Sequence, residues 1–328
     1  LSLAGVGDGI DLSIRNGENW RTPTVVRNKE GHDMSTWLIS LLMGAMLGQV
    51  PHTQPAGWQF DPNYLQLENS QVTASLRPLG AMHGVVIDKL KEDGSPTAQG
   101  RAFLNLEHYL ERGRSAEYLP RELDHVATLT RDCLSILFPR PKDWPVESTL
   151  KYTFEQPGAI DANLAFSFSG KLSQFEVYFT SYFAPQYQRF VKIGGEWIRP
   201  KIGPKEQLLI PRDNKIAGRY ADGRWDFLKG RTRLADYRFD LPIIISRDPK
   251  TDWAVAQMVE PGACTHIAPN LFAVGHNFII GGWDVKKGDK RHACVRLIAG
   301  YKLSNEQVEK AYEVFAEQCR KKGTRAAD

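Results

Sequence analysis

From residue 58 onward the chain is written in short apolar or alternating runs, separated by Gly, Pro, Asn and Asp. That rhythm predicts a multi-stranded antiparallel architecture of the all-β class. Strands are expected over residues 64–67, 72–76, 84–90, 135–138, 150–154, 162–167, 175–183, 189–193, 243–246, 253–258, 271–274, 277–280 and 293–299. The clearest of them is 174–183. Period two sets Phe175, Val177, Phe179 and Phe183 on one face and Glu176, Tyr178, Thr180 and Tyr182 on the other. Ile193-Gly-Gly-Glu196 and Lys286-Lys-Gly-Asp289 supply glycine where a positive φ is needed, and both read as hairpin ends.

Two stretches depart from the strand rhythm. Residues 102–112 fit either a short helix or a loop with one turn. At the C-terminus Ser304 and Gln307 form a capping box, and Val308, Ala311, Tyr312, Phe315 and Cys319 recur on one helical face. An amphipathic helix packed on the sheets is the expectation there. No repeat of solenoid length and no low-complexity linker divides the chain, so residues 49–328 read as a single domain.

The start of the chain follows another pattern. Behind Met34 lies an apolar run of about 12 residues, the proportions of a secretory h-region and too short to span a bilayer. On this reading residues 1–33 are a disordered upstream extension, 34–48 is a signal-peptide-like segment, and a secreted or periplasmic protein begins near Gln49. The rival reading is a buried helix, because Trp37, Leu38, Leu41, Leu42 and Ala45 also share one helical face. Gly5-Val-Gly-Asp-Gly9 does not fit a dinucleotide-binding loop.

Charge narrows the partners. The formal net charge is +4, and removal of residues 1–48, which hold four basic and five acidic side chains, moves it to +5. The excess is small and dispersed, without the basic stripe that binding to a phosphate backbone requires, so no nucleic acid is expected. Nor is a membrane partner expected for the mature form. The four cysteines, at 133, 264, 294 and 319, are too widely spaced for a zinc knuckle or a dense disulfide framework. There is no H-E-x-x-H, calcium loop, G-x-S-x-G elbow or Walker loop, and neither a metal nor a cofactor is expected.

Several groups offer chemistry. The Glu176–Tyr182 face combines phenols, a hydroxyl and a carboxylate, which suits sugar hydroxyls and pyranose ring faces; a merely solvated strand face has the same composition. Gly262–His266, Gly275–Asp284 and Gly288–His292 gather His266, His276 and Trp283 with glycine-bearing turns, and a histidine of ordinary pKa can serve as acid or base near neutrality. Asp222-Gly-Arg224-Trp225 sets a planar cation beside the largest aromatic. Glu107-His108 and Met82-His83-Gly84 place polar groups beside apolar runs.

The last quarter carries a family resemblance. Leu271-Phe-Ala-Val-Gly-His-Asn-Phe-Ile-Ile-Gly-Gly-Trp-Asp-Val-Lys-Lys-Gly-Asp289 looks like a closing strand, a strand ending in aromatic-Asp-Val and a tight turn, and Ala293–Gly300 looks like the strand before a terminal helix. With Pro145–Phe154 and Gly158–Phe166 as paired central strands, the order resembles the galactose mutarotase-like proteins. That resemblance implies a large antiparallel β-supersandwich with a C-terminal helix, and a carbohydrate as partner. It also implies an acid and base pair, for which His276, Glu107 and Tyr182 are the candidates. Tyr178, Asp222, Arg224, Trp225, His266, Trp283 and Arg296 are the candidate sugar contacts, with Arg224 or Arg296 placed to neutralise a carboxylate. The expected function is a secreted protein acting on a sugar ring or uronate polymer, by epimerase- or lyase-like chemistry. Its alternative is a non-catalytic carbohydrate-binding or cell-envelope interaction module, since a shared fold does not transmit a reaction.

Overall fold

The computed structural model describes residues 10–13, 59–61, 66–68, 72–78, 81–90, 95–130, 133–154 and 158–325. The leader-like segment 34–48 lies outside the described residues, as does most of the extension before it. In chain order the first strands are β1 (Ile10–Ser13), β2 (Gln59–Asp61), β3 (Gln66–Glu68), β4 (Val72–Arg77), β5 (Gly84–Leu90), β6 (Asn105–Glu111) and β7 (Arg114–Ala116). After the one-turn helix α1 (Leu119–Glu122) come β8 (Val126–Leu129), β9 (Cys133–Phe138), β10 (Val146–Thr153), β11 (Ala159–Phe168), β12 (Leu172–Tyr182), β13 (Gln188–Ile193), β14 (Glu196–Ile198) and β15 (Gln207–Pro211). A second short helix, α2 (Asn214–Ala217), and two 3₁₀ turns lead to β16 (Thr232–Leu234). The chain closes with β17 (Ile243–Arg247), β18 (Trp253–Val259), β19 (Cys264–Ile267), β20 (Gly275–Val285), β21 (Lys290–Tyr301) and the long helix α3 (Asn305–Arg325).

These strands form three sheets. A ten-stranded sheet runs β1-β8-β9-β10-β11-β21-β18-β17-β13-β14, a seven-stranded sheet runs β16-β15-β19-β20-β12-β6-β7, and β2 to β5 make a four-stranded meander. All pairs are antiparallel except β15 with β16. The result is the expected all-β supersandwich, with β10 and β11 paired from Val146↔Phe168 to Thr153↔Asp161. Among the described residues, no helix is long and apolar enough to cross a membrane.

The main core lies between the two large sheets. Phe138, Leu150, Leu164, Phe166 and Val295 of one meet Phe175, Val177, Phe179, Phe278 and Ile280 of the other, each fully buried side chain contributing about 1.5–3 kcal/mol. The opposite face of the ten-stranded sheet carries Ile243, Ile245, Ala256 and Met258 and is covered by Val308, Tyr312 and Phe315 of α3. The capping box closes as read: Ser304 N donates to Gln307 Oε1 at 2.8 Å, and Gln307 N donates to Ser304 Oγ at 3.2 Å. A third, smaller cluster joins Leu110, Tyr178, Leu209, Trp225, Ala268 and Ile279 on the outer face of the seven-stranded sheet, beneath the 212–234 segment.

Three local expectations need correction. Residues 102–112 contain neither helix nor loop but β6, buried on both faces, which erases the alternation that marks a half-exposed strand. Leu271–Val274 is a bend rather than a strand: Asn270 Oδ1 accepts from the backbone N–H of both Ala273 and Gly275 at 3.1 Å, and Val274 takes φ 51°. Ile193–Glu196 is a two-residue hairpin as expected, with Gly194 and Gly195 at φ 61° and 86°. Lys286–Asp289 is not: it carries the chain from β20 in one sheet to β21 in the other.

Candidate functional site

The polar face of β12 is buried, and its groups enter three neighbouring hydrogen-bonded clusters, around Glu107, Tyr178 and Glu176. Tyr178 pairs with His108 and Phe179 with Leu106, so Glu107 is the extra residue of a β-bulge. A bulge flips the side-chain alternation. Glu107 and His108, adjacent in sequence, therefore both reach the face that carries Tyr178, Thr180 and Tyr182.

Glu107 is held from several sides. The Tyr182 hydroxyl donates to its Oε1 and Oε2 at 3.0 and 3.1 Å, the Thr180 hydroxyl donates to Oε2, and Arg121 Nη1 lies 3.1 Å from Oε1. Arg121 Nη2 also donates to the Tyr182 oxygen at 3.1 Å, and its Nε to Asn105 Oδ1 at 2.8 Å. His108 accepts from the Tyr118 backbone N–H at Nδ1, which assigns the ring proton to Nε2, 3.5 Å from Glu107 Oε1. Burial lowers the His108 pKa to about 4 against the opposing pull of Glu107, so the ring is neutral near pH 7. Burial and the Glu107 charge push the Tyr182 phenol above its ordinary value, which keeps its proton in place. Exposed Tyr118 packs on the His108 ring, and the exposed Arg101 guanidinium lies 4.8 Å over the Tyr182 ring.

Further along the same face, the Tyr178 hydroxyl donates to Gln207 Oε1 and accepts from Asn277 Nδ2 at 2.7 Å. Trp225 meets Tyr178 edge-on at 6.4 Å and His266 at 5.8 Å between ring centroids. Gln207 Nε2, Asn277 Oδ1, Trp225 Nε1 and His266 Nε2 are buried without a hydrogen-bond partner. Buried polar atoms in folded proteins are otherwise nearly all paired. Burial lowers the His266 pKa to about 4.

The 212–234 segment is fastened over this face by charge. Arg224, fully buried, donates to Glu176 Oε2 and, at 2.6 Å, to Asp222 Oδ2, while Arg219 Nη1 donates to Glu176 Oε1 at 2.9 Å. Burial alone lowers the Arg224 pKa, but the two carboxylates outweigh it and leave it raised. Arg219 reaches Glu176 by crossing Gly282, where φ is 83° and an added Cβ would collide with its guanidinium.

The structure thus brings Glu107, Tyr182, Tyr178, Trp225, His266, Arg224 and Asp222 to one face of one sheet. His276 is on the opposite face of β20 with Phe278 and Ile280, fully buried and stacked on Phe183 at 4.1 Å. Trp283 also turns to the core side, against Phe166 at 5.8 Å. Arg296 lies beneath α3, bound to Asp161 at 2.6 and 2.8 Å and to Gln318 at 2.9 Å. Arg121, Asn105, Gln207 and Asn277 complete the face. Asn277 was legible from its alternation with Phe278, whereas Arg121, in a one-turn helix, gives no periodic signal.

No family model and no curated protein matches the chain. Among solved structures it is similar to a candidate aldose 1-epimerase from Escherichia coli K12, at 10% identity and a TM-score of 0.41, covering 72% of this chain and 98% of that one. An aldose epimerase homologue from C. elegans gives 7% identity and a TM-score of 0.43, over 72% and 98%. An α-N-acetylgalactosaminidase from Bifidobacterium bifidum gives 11% and 0.44, over 77% of this chain and 38% of that one. These are likenesses of fold, with no individual structure standing out. At these scores they carry no argument about chemistry.

Proposed function

We propose that this chain is a carbohydrate-active protein that holds a sugar between the polar face of the seven-stranded sheet and the 212–234 segment, and moves protons on it with Glu107 and Tyr182. The observation that carries this reading is the set of buried, unpartnered polar atoms on Gln207, Asn277, Trp225 and His266. Each such atom costs about 1–3 kcal/mol while unpaired. Sugar hydroxyls both donate and accept, so one polyol can satisfy amide donors and acceptors together, and the Trp225 and Tyr178 rings offer it apolar surface.

The chemistry follows from the hydrogen-bond directions. Glu107 takes the proton of the anomeric hydroxyl while Tyr182, protonated near neutrality, gives its own to the ring oxygen; the bond from the anomeric carbon to the ring oxygen breaks, the anomeric carbon becomes an aldehyde, and Arg121 stabilises the phenolate left on Tyr182. After rotation about C1–C2 the freed hydroxyl attacks the other face of the carbonyl, returning its proton to Tyr182 while Glu107 returns its own to the carbonyl oxygen. Every proton is back in place, and the sugar leaves as the other anomer.

The test is anomer exchange followed by NMR over a panel of neutral aldoses and uronic acids. Wild-type protein is expected to accelerate exchange of at least one sugar, and Tyr182→Phe and Glu107→Gln to lose about 10²-fold or more of that acceleration. Saturable sugar binding without exchange would reduce the protein to a binding module. No binding and no exchange across the panel would reject the reading. The signal-like pattern of residues 34–48 supports a further part of the proposal, that the protein is exported; N-terminal sequencing of secreted material, expected to start near Gln49, tests this separately.

A further inference from the structure

A second constellation lies apart from the Glu107 network and shares no residue with it. The β13–β14 hairpin pairs Val191 with Ile198, so the chain leaving β14 runs back alongside Arg189. Arg189, Arg199 and Lys201 consequently line one cavity of about 530 Å³, together with Gln186, Tyr187 and Gln188. That volume is within the range of small-molecule sites, about 300–1,000 Å³. No carboxylate lines it, and none of the three cations forms an ion pair among the described residues.

Arg189 is the telling member. It is 93% buried, being 7% exposed, yet its Nη2 has no hydrogen-bond partner. Its Nε donates to His276 Nε2, which puts the imidazole proton on Nδ1, directed at Ser246 Oγ at 2.7 Å. His276 therefore supplies an acceptor but no negative charge, and burial with the nearby Arg189 cation holds its pKa well below the ordinary value. Burial, and after it the like charge of Arg199, lowers the Arg189 pKa to about 10. A buried cation ordinarily has an anionic partner. Here the protein builds a rigid mount for the guanidinium and leaves the counter-charge out.

We propose that this cavity binds an oxyanion, a sulfate or phosphate group either free or carried on a small molecule. Arg189 is the buried anchor, Arg199 and Lys201 are the exposed arms, and the Ser246–His276 pair is the positioning element. The exposed Arg199 guanidinium has its planar donors free for such a group, Arg189 adds buried positive charge behind the cavity wall, and the cavity has room for a small organic body.

Isothermal titration of the full chain at constant ionic strength tests this, with inorganic sulfate, inorganic phosphate, glucose 6-sulfate and glucose 6-phosphate as probes. Saturable binding of at least one is expected. It should weaken about tenfold or more in the doubly substituted Arg199→Gln/Lys201→Gln protein, both sites being exposed and the fold retained. Tighter binding of the ester than of the matching ion assigns the site to a small ester, and equal binding assigns it to the free ion. The Tyr182→Phe protein should bind the inorganic ions as wild type does, so this site and the sugar reading fail separately. Absence of saturable binding, or equal affinity in wild type and the double variant, would overturn the proposal.

Discussion

The Tyr182 hydroxyl spans both carboxylate oxygens of Glu107, at 3.0 and 3.1 Å, while accepting from Arg121 at 3.1 Å. Three buried polar groups therefore depend on one another, and removing each has a different cost. Tyr182→Phe deletes one donor and is expected to cost about 1–2 kcal/mol. Glu107→Ala leaves the Arg121 cation buried without its carboxylate and is expected to cost about 3–5 kcal/mol. Urea denaturation of the two variants checks the order. Equal midpoints would mean that Arg121 reaches water freely.

The clamp on the 212–234 segment makes a comparable prediction. Glu176 and Arg224 are both fully buried, and Glu176 is also the carboxylate held by Arg219, so Glu176→Leu leaves Arg224 with Asp222 alone and Arg219 without its carboxylate, and should cost about 3 kcal/mol. Adding Arg224→Met removes the Arg224 cation as well. The double variant should recover part of the loss, giving a coupling of about 1 kcal/mol or more in a double-mutant cycle. Additive losses would show that the pair is not energetically linked.

Much of this arrangement is written in the chain, and the reason is periodicity. The alternation of Phe175 to Tyr182 names both faces of β12, and the spacing Val308, Ala311, Tyr312, Phe315 names the buried side of α3, because each element has one apolar and one polar side. β6 was hidden because water touches neither face and the bulge at Glu107 breaks period two. The partnership of Glu107 with Tyr182 was hidden for another reason: 75 residues separate them, and pairing β6 with β12 is what closes the gap. His276 shows the converse. Its alternation with Phe278 and Ile280 points to the core, but the chemical reputation of histidine points to a site.

Acid should destabilise the protein through His108 and His266. Both have folded pKa values of about 4 against an ordinary 6.5. Above pH 6.5 both rings are neutral whether folded or unfolded, and stability is full. As pH falls toward 4 the unfolded chain takes up protons that the folded chain refuses, and stability drops by an amount on the order of 3 kcal/mol per histidine before levelling off. Denaturant midpoints at pH 7 and pH 4.5 measure this, and His266→Asn should flatten the slope. An unchanged slope in that variant would show that His266 protonates freely in the fold.

Glu260 should act with the opposite sign. Burial raises its pKa from 4.5 to about 7. Its contribution is therefore present below pH 4.5 and lost as pH rises through 7. Glu260→Gln keeps the shape without the charge and is expected to raise the denaturation midpoint at pH 8 while leaving it nearly unchanged at pH 4.5. A variant less stable at pH 8 would show that the ionised carboxylate has a favourable partner.

Trp225→Phe separates stability from binding. The indole N–H is buried and unpartnered, while the ring packs against Tyr178 and His266. Phenylalanine keeps most of the packing and removes a donor whose burial is unfavourable, so the two effects oppose each other and the thermal midpoint should move little, within about 1 kcal/mol. A sugar bound beneath the 212–234 segment would use that same N–H, and its affinity should fall about tenfold. Calorimetric unfolding and sugar titration on one preparation decide the matter. Substantial destabilisation with unaltered sugar affinity would make Trp225 a packing residue only, and the orphan donors of this face would then have to be satisfied in some other way than by a polyol.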